Sequence, residues 1–272
     1  MRKRGSLAPV SSAWKSLNLR STKLPRLNAV TLTLLVIIAA GAATASDSDL
    51  HERARVTELW NPVPVKVTPG IASEPPSDAV ILLGDQALTG WINRQGAPAG
   101  WQLENGVATV TPGSGDIFTI EHFTDVQLHV EWRTPEKVSG HGQGRGNSGI
   151  FLMDRYEVQV LDSYENPTYS NGQAASIYKQ HIPLVNASKG PGEWQTYDIV
   201  FMAPRFNDAG RLLKAAQVTV LHNGVLVQNN VAISGPTSYV GAPNYEAHGP
   251  APIRLQDHGN PVSYRNIWLR RL

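Results

Sequence analysis

The stretch Val126-Gln127-Leu128-His129-Val130-Glu131-Trp132-Arg133 decides the fold. Four apolar side chains alternate with four polar ones, and in an extended chain successive side chains point to opposite faces. Val126, Leu128, Val130 and Trp132 therefore share a core-facing side, with Gln127, His129, Glu131 and Arg133 on the other. Outward from it, further strand-like runs follow at Tyr156–Leu161, Gln195–Met202, Gln217–Leu221, Val225–Gln228, Ile253–Gln256 and Ile267–Leu269. Gly, Pro or Asn punctuates the gaps. Asn223-Gly224 is a hairpin signal because both residues tolerate positive φ. No window carries the 3.6-residue period of a long amphipathic helix. Short antiparallel strands throughout residues 79–272 predict an all-β fold, a sandwich or jelly roll of two antiparallel sheets.

The 272 residues carry 24 basic and 22 acidic side chains, eight His and no Cys. Seven of the basic residues, and no acid, fall within residues 1–45, leaving 17 basic and 22 acidic groups for the rest. The positive field thus belongs to the leader, and nucleic-acid binding is excluded as the domain's role. Without cysteine there is no disulfide scaffold, thiolate metal site or thiol nucleophile. The leader is basic and then apolar (Ala29–Ala43, 15 residues), and closes with Ala43-Thr44-Ala45. That order predicts a signal peptide, residues 1–45, cut after Ala45. An uncleaved membrane anchor would want about 20 apolar residues. No later window approaches a membrane span, so the expected location is periplasmic or extracellular. Residues 46–78 are charged and then Pro-rich, which reads as an extended linker that opens with a short helix near Leu50–Leu59.

In Tyr156-Glu157-Val158-Gln159-Val160-Leu161-Asp162, Glu157 and Gln159 point away from the core side of Val158 and Val160. A lone strand Glu usually faces solvent, but three other segments change its weight. Gly146-Asn147-Ser148-Gly149-Ile150 reads as a glycine-flanked polar turn just ahead of that strand. Arg254, Gln256 and His258 share one face of a late strand if alternation persists to His258. Glu131 and Arg133 occupy the polar face of the first strand. Pooled in one concave groove, Glu131, Arg133, Asn147, Glu157, Gln159, Arg254, Gln256 and His258 would offer the donors and acceptors a polyhydroxylated ligand needs. The eight His show no metal-binding spacing, so no metal ligands are assigned. Asp85, Asp116 and Asp125 could supply oxygens to a divalent cation such as Ca²⁺, but they match no calcium loop and read better as solvated. The glycine-rich Gly140–Gly146 precedes no helix and is rejected as a phosphate loop.

Several segments together resemble the 3-keto-disaccharide hydrolase domain family. They are Leu82-Leu83-Gly84-Asp85-Gln86-Ala87-Leu88-Thr89-Gly90-Trp91, Gly146–Leu152, Tyr156–Asp162, Gly192-Glu193-Trp194-Gln195-Thr196-Tyr197-Asp198-Ile199 and Ile253–Gly259. Two local departures are a Gly/His-rich insertion at 139–146, expected to lie clear of the groove strands, and Leu83-Gly84-Asp85 in place of Phe-Asn-Gly. The resemblance implies a concanavalin A-like jelly roll and an exported enzyme acting on glycosides already oxidised at C3 by a glycoside 3-dehydrogenase. It further implies Glu157 and His258 as the catalytic acid–base pair, with Arg254, Gln159 and Asn147 holding ketone and hydroxyls. No cofactor is firmly implied. Two routes stay open: elimination across C1–C2 followed by hydration, or direct hydrolysis by Glu157 and Glu131. The rival from another class is a non-catalytic, lectin-like module, which would expose aromatics for stacking. Trp132 and Tyr156 fall on the core side, while Tyr169 and Tyr178 lie in loop-like sequence and fit either reading.

Overall fold

A computed structural model describes residues 47–84 and 87–272; the predicted signal peptide lies outside the described residues. The described chain divides between Pro64 and Val65 into two units, the second being Val65–Leu272. In the first, helix α1 (Asp47–Arg55) gives way to irregular chain. It starts and stops three to four residues earlier than the sequence suggests. Among the described residues no helix is long and apolar enough to cross a membrane.

The second unit is built from short strands: β1 (Val80–Leu83), β2 (Trp91–Asn93), β3 (Gln102–Glu104), β4 (Val107–Thr109), β5 (Ile117–Thr119), β6 (Val126–Arg133), β7 (Ser148–Leu152) and β8 (Tyr156–Val160). The later half adds β9 (Gln195–Met202), β10 (Arg205–Phe206), β11 (Leu212–Lys214), β12 (Gln217–His222), β13 (Val225–Ala232), β14 (Arg254–Leu255) and β15 (Ser263–Arg271). Among the described residues one sheet runs β13-β12-β9-β6-β15-β4-β3, with β1 also pairing β15, and a second runs β2-β5-β14-β7-β8. The pairings are antiparallel, and the two sheets stack as a β-sandwich. The predicted strands fall where the alternation put them. Asn223 and Gly224 both take positive φ (53° and 77°) in the two-residue turn that joins β12 to β13.

The core lies between the sheets. Val126, Leu128, Val130 and Trp132 of β6 are buried there with Tyr156, Val158 and Val160 of β8. Two tyrosines bridge the layers: Tyr197 donates to the Gln159 carbonyl (2.8 Å) and Tyr264 to Ser148 Oγ (2.7 Å). These bonds satisfy hydroxyls that burial would otherwise penalise. They also fix the register of β7 and β8, the strands that carry the site, against the larger sheet. The chain inserts its last strands between earlier ones. β14 lies between β5 and β7, and β15 between β6 and β4. This is how Arg254 comes to neighbour both Phe118 and Phe151.

The Pro-rich stretch from Val65 to Asp78 lies within the second unit. Ser73 anchors this strap on the outer face of the larger sheet: its Oγ donates to Glu131 (2.9 Å), and its carbonyl accepts from Asn266 (2.9 Å) and Trp268 (3.1 Å). Pro-rich sequence bars sheet pairing, yet it leaves side chains and carbonyls free to dock. One expectation is corrected: Gly146–Ile150 is not a turn throughout, because β7 begins at Ser148, with every residue buried.

Candidate active site

The smaller sheet's outer face carries the site. Cross-strand register sets Phe118, Arg254, Phe151 and Glu157 in one row across β5, β14, β7 and β8. Gln159 lies opposite Gly149 one step along. Gly149 is required by space: a Cβ there would stand 2.6 Å from Glu157 Oε1 and 2.8 Å from the Phe151 ring. The Glu157 carboxyl therefore leans over the Gly149 backbone. The result is a recess of 290 Å³ whose walls include Asn147, Phe151, Glu157, Gln159, Tyr178, Thr237, Tyr239, Arg254, Gln256 and His258.

Glu157 is only 5% exposed, and none of the described side chains bonds its carboxyl; its backbone N–H donates to Thr237 Oγ1 (3.0 Å). Burial pushes its pKa up to about 8; the Arg254 charge opposes this and Asp116 adds to it. Arg254 cannot neutralise it fully because its guanidinium is engaged elsewhere. Nη1 meets Asp116 at 2.7 Å and Nε meets Asp154 at 2.5 Å, with the plane 3.4 Å over the Phe151 ring. Asp154 reaches that position from the β7–β8 turn, where Met153 and Asp154 both take positive φ (52° and 56°) without being glycine. Strained backbone of this kind persists only where the surroundings hold it.

Amides line the floor. Gln159, 1% exposed, donates through Nε2 to Gln143 Oε1 (3.0 Å), while its own Oε1 has no partner. The buried Gln256 Oε1 likewise has none. A buried acceptor without a donor is costly, so two of them in one recess favour a ligand rich in hydroxyls. Asn147 donates to the Gln143 carbonyl (2.6 Å). Gln143 belongs to the 139–146 insertion, so that segment braces two wall residues, Asn147 and Gln159, and does not lie clear of the groove strands. His258 is exposed at the mouth. β14 ends at Leu255, so His258 arrives by the bend before Gly259 (φ 80°) and not by continued alternation.

The pooled groove separates into two faces. Asn147, Glu157, Gln159, Arg254, Gln256 and His258 come together; Glu131 and Arg133 do not join them. Both stand on the outer face of the larger sheet, with the core between them and Glu157. Alternation assigns a residue to the polar side of its strand without saying which sheet that strand enters. Glu131 accepts from Arg265 (2.6 Å), Asn266 (3.0 Å) and Ser73 (2.9 Å). Burial would raise its pKa, but these hydrogen bonds outweigh it and hold the carboxyl below its ordinary value. Arg133 stacks 4.7 Å from the centre of the Trp194 ring. Glu131 is thus a positioned structural carboxylate, and it cannot serve as the second acid of a pair with Glu157. A larger cleft, 740 Å³, lies between the strap and this face. Its buried His129 is paired to Asp198 (2.7 Å) and stacked on Trp268. The smaller recess is the stronger candidate, because in it an unbonded carboxyl with a raised pKa faces unpartnered amide oxygens.

The sequence reading missed Phe151, Thr237 and Tyr239 as wall residues. Phe151 alone had a signal, sharing strand parity with Gly149; the other two lie in aperiodic chain. Asp116 and Asp125, weighed as calcium ligands, are in separate ion pairs with Arg254 and Arg205, and Asp85 lies outside the described residues. Among the described residues no cluster of three or more His, Asp or Glu could hold a metal ion.

Fold and site together define an antiparallel β-sandwich protein with a recessed carboxyl pocket on one outer face. The chain belongs to the family described as the 3-keto-alpha-glucoside-1,2-lyase-like domain, whose model matches residues 78–270. It is similar to a crystal structure from Parabacteroides distasonis ATCC 8503 described provisionally as a glycosyl hydrolase. That likeness has 48% identity and a TM-score of 0.77, covering 80% of this chain and 96% of the other. A second structure from the same organism, with the same provisional description, is 19% identical with a TM-score of 0.54, covering 76% of this chain and 100% of the other. It shares the fold. The comparison with curated proteins gives no match.

Proposed function

We propose that the protein cleaves glycosides carrying a ketone at C3, by removing the C2 proton and expelling the C1 substituent, on a concanavalin A-like jelly roll. A C3 ketone acidifies the C2 proton because the carbanion formed is an enolate. Glu157 takes that proton; a carboxylate whose pKa is raised to about 8 is a stronger base than an ordinary one. The enolate then re-forms its carbonyl, a C1–C2 double bond forms, the C1–O bond breaks, and His258 at the mouth gives its proton to the departing oxygen. Addition of water across the double bond completes net hydrolysis. Arg254, fixed by Asp116 and Asp154, presents a preorganised positive charge to the developing enolate. Gln159, Gln256 and Asn147 hold the ring hydroxyls. The single observation that carries this reading is the buried, unbonded Glu157 carboxyl beside two unpartnered amide oxygens. The family description and the 48%-identical relative support a glycoside substrate.

We also propose that a glycoside 3-dehydrogenase supplies the substrate and that the protein works outside the cytoplasm, as its basic–apolar leader suggests. The second reading, a lectin-like module, is favoured by the exposed rings of Tyr169 and Tyr239 beside the recess. The test is turnover of a small panel of native and 3-oxidised glycosides, with and without a chelator, by wild type and Glu157→Gln. The proposed enzyme turns over only the oxidised members, and the variant loses turnover while still binding. Turnover of native glycosides alone overturns the substrate, and binding without turnover supports the module.

A further inference from the structure

The proposed reaction leaves open what departs from C1, and the rim of the recess bears on it. At 290 Å³ the recess is at the small end of ligand clefts, so it suits one sugar ring and leaves the C1 substituent at the mouth. Two aromatic rings are exposed there: Tyr239 (73%) and Tyr169 (41%). Both are held by built contacts. The Tyr169 hydroxyl bonds that of Tyr178, a wall residue of the recess, at 2.6 Å. The Tyr169 ring lies against Gly172, where any Cβ would come within 2.1 Å of it, so only glycine admits the ring. Lys179 takes a left-handed backbone (φ 59°), held by its N–H donating to the Asn171 carbonyl (2.8 Å). Its ammonium donates to the Tyr239 carbonyl (2.7 Å) and stands 4.1 Å from the Tyr239 ring centre, with Tyr169 and Tyr178 at 5.8 and 5.9 Å. A cation among three phenol rings fixes them relative to one another.

We propose that Tyr239 and Tyr169, steadied by Lys179, form a leaving-group platform: a stacking subsite for C1 substituents that present a flat apolar face. Such a face belongs to a second pyranose ring or to an aryl aglycone. Small alkyl substituents are too short to use it. This inference rests on the proposed reaction, and it makes Tyr239 a specificity residue with no part in proton transfer.

The test compares wild type, Tyr239→Ala and Tyr239→Phe on 3-oxidised methyl glucoside, 3-oxidised phenyl glucoside and a 3-oxidised glucose disaccharide. Taking each variant's kcat/KM relative to wild type on the same substrate cancels the leaving groups' intrinsic reactivities. Loss of one aromatic stacking partner is expected to lower kcat/KM about tenfold on the ring-bearing substrates. Because Tyr239 also lines the recess, some loss on the methyl glucoside is expected, but at least about fivefold smaller than on the ring-bearing substrates, and Tyr239→Phe should keep the wild-type pattern because the ring does the stacking. A loss confined to the phenyl substrate or to the disaccharide supports the platform and says which ring it takes. Equal losses on all three substrates, or none, overturn the platform while leaving the reaction standing. If wild type turns over none of the three, the reaction fails and the platform with it.

Discussion

Replacing Glu157 with Gln should make the protein more stable at neutral and alkaline pH, by an amount the structure sets. Gln keeps the shape and removes the charge. In the folded protein burial raises the Glu157 pKa from 4.5 to about 8. Below pH 4.5 both folded and unfolded states hold the proton, and the carboxyl costs nothing on this account. Between pH 4.5 and 8 the unfolded chain releases the proton while the folded one retains it, so stability falls as pH rises, by about 1.36 kcal/mol per pH unit. The loss reaches roughly 3 kcal/mol at pH 7 and about 5 kcal/mol above pH 8, where it levels off. Urea unfolding of wild type and Glu157→Gln at pH 4, 7 and 9 reads this directly, since the other titrating groups cancel in the difference. The gap should open from near zero at pH 4 to several kcal/mol at pH 9. Parallel stability curves would refute the claim that Glu157 is held protonated by burial, and with it the argument for an unusually strong base.

Further outcomes follow from the same geometry. In a His258→Asn variant, kcat/KM on a 3-oxidised phenyl glycoside, whose leaving group departs without a proton donor, should rise with pH toward a plateau above about 8, because the base must be ionised; a profile that falls across this range would make Glu157 the acid instead. Gly149→Ala, which sets a Cβ 2.6 Å from the Glu157 oxygen, should cost about 100-fold or more in kcat/KM by displacing the carboxyl, with the fold retained by circular dichroism. Arg254→Lys cannot bridge Asp116 and Asp154 while stacked on Phe151, so thermal unfolding should show a loss of about 2–4 kcal/mol alongside weakened turnover. Glu131→Gln, on the opposite face, should leave turnover within about twofold. Its carboxyl, held below its ordinary pKa, stabilises the fold at neutral pH and loses that effect as pH falls, so this variant should flatten the acid limb of the stability curve.

Much of the fold was legible because period-2 alternation is a local signal of burial. β6 and β9 fall where the apolar positions alternate, and the Asn223-Gly224 turn follows from backbone preference alone. Which polar faces meet is a different matter, being set by pairings between residues far apart in sequence. Glu157 and Arg254 meet because β14 inserts beside β7, which no local pattern announces. The same blindness put Glu131 and Arg133 in the wrong place: their strand alternates as cleanly as β8, yet it belongs to the other sheet. β7 was hidden because both of its faces are buried, and polar Ser148 and Gly149 look like a turn when burial is unknown. Thr237 and Tyr239 come from irregular chain positioned by tertiary bonds, among them Gln180 to Ser234 (2.7 Å) and Gly235 (2.9 Å). Gln143 shows the same limit, since an insertion's contacts depend on where its ends are anchored.

The most direct test of the central claim is solvent deuterium incorporation at C2 during turnover of a 3-oxidised glycoside in D₂O, followed by NMR of product and recovered substrate. Removal of the C2 proton by Glu157 predicts deuterium at C2 of the product, and its loss together with turnover in Glu157→Gln. Efficient cleavage with the C2 proton fully retained, and no isotope effect from C2-deuterated substrate, would contradict the account.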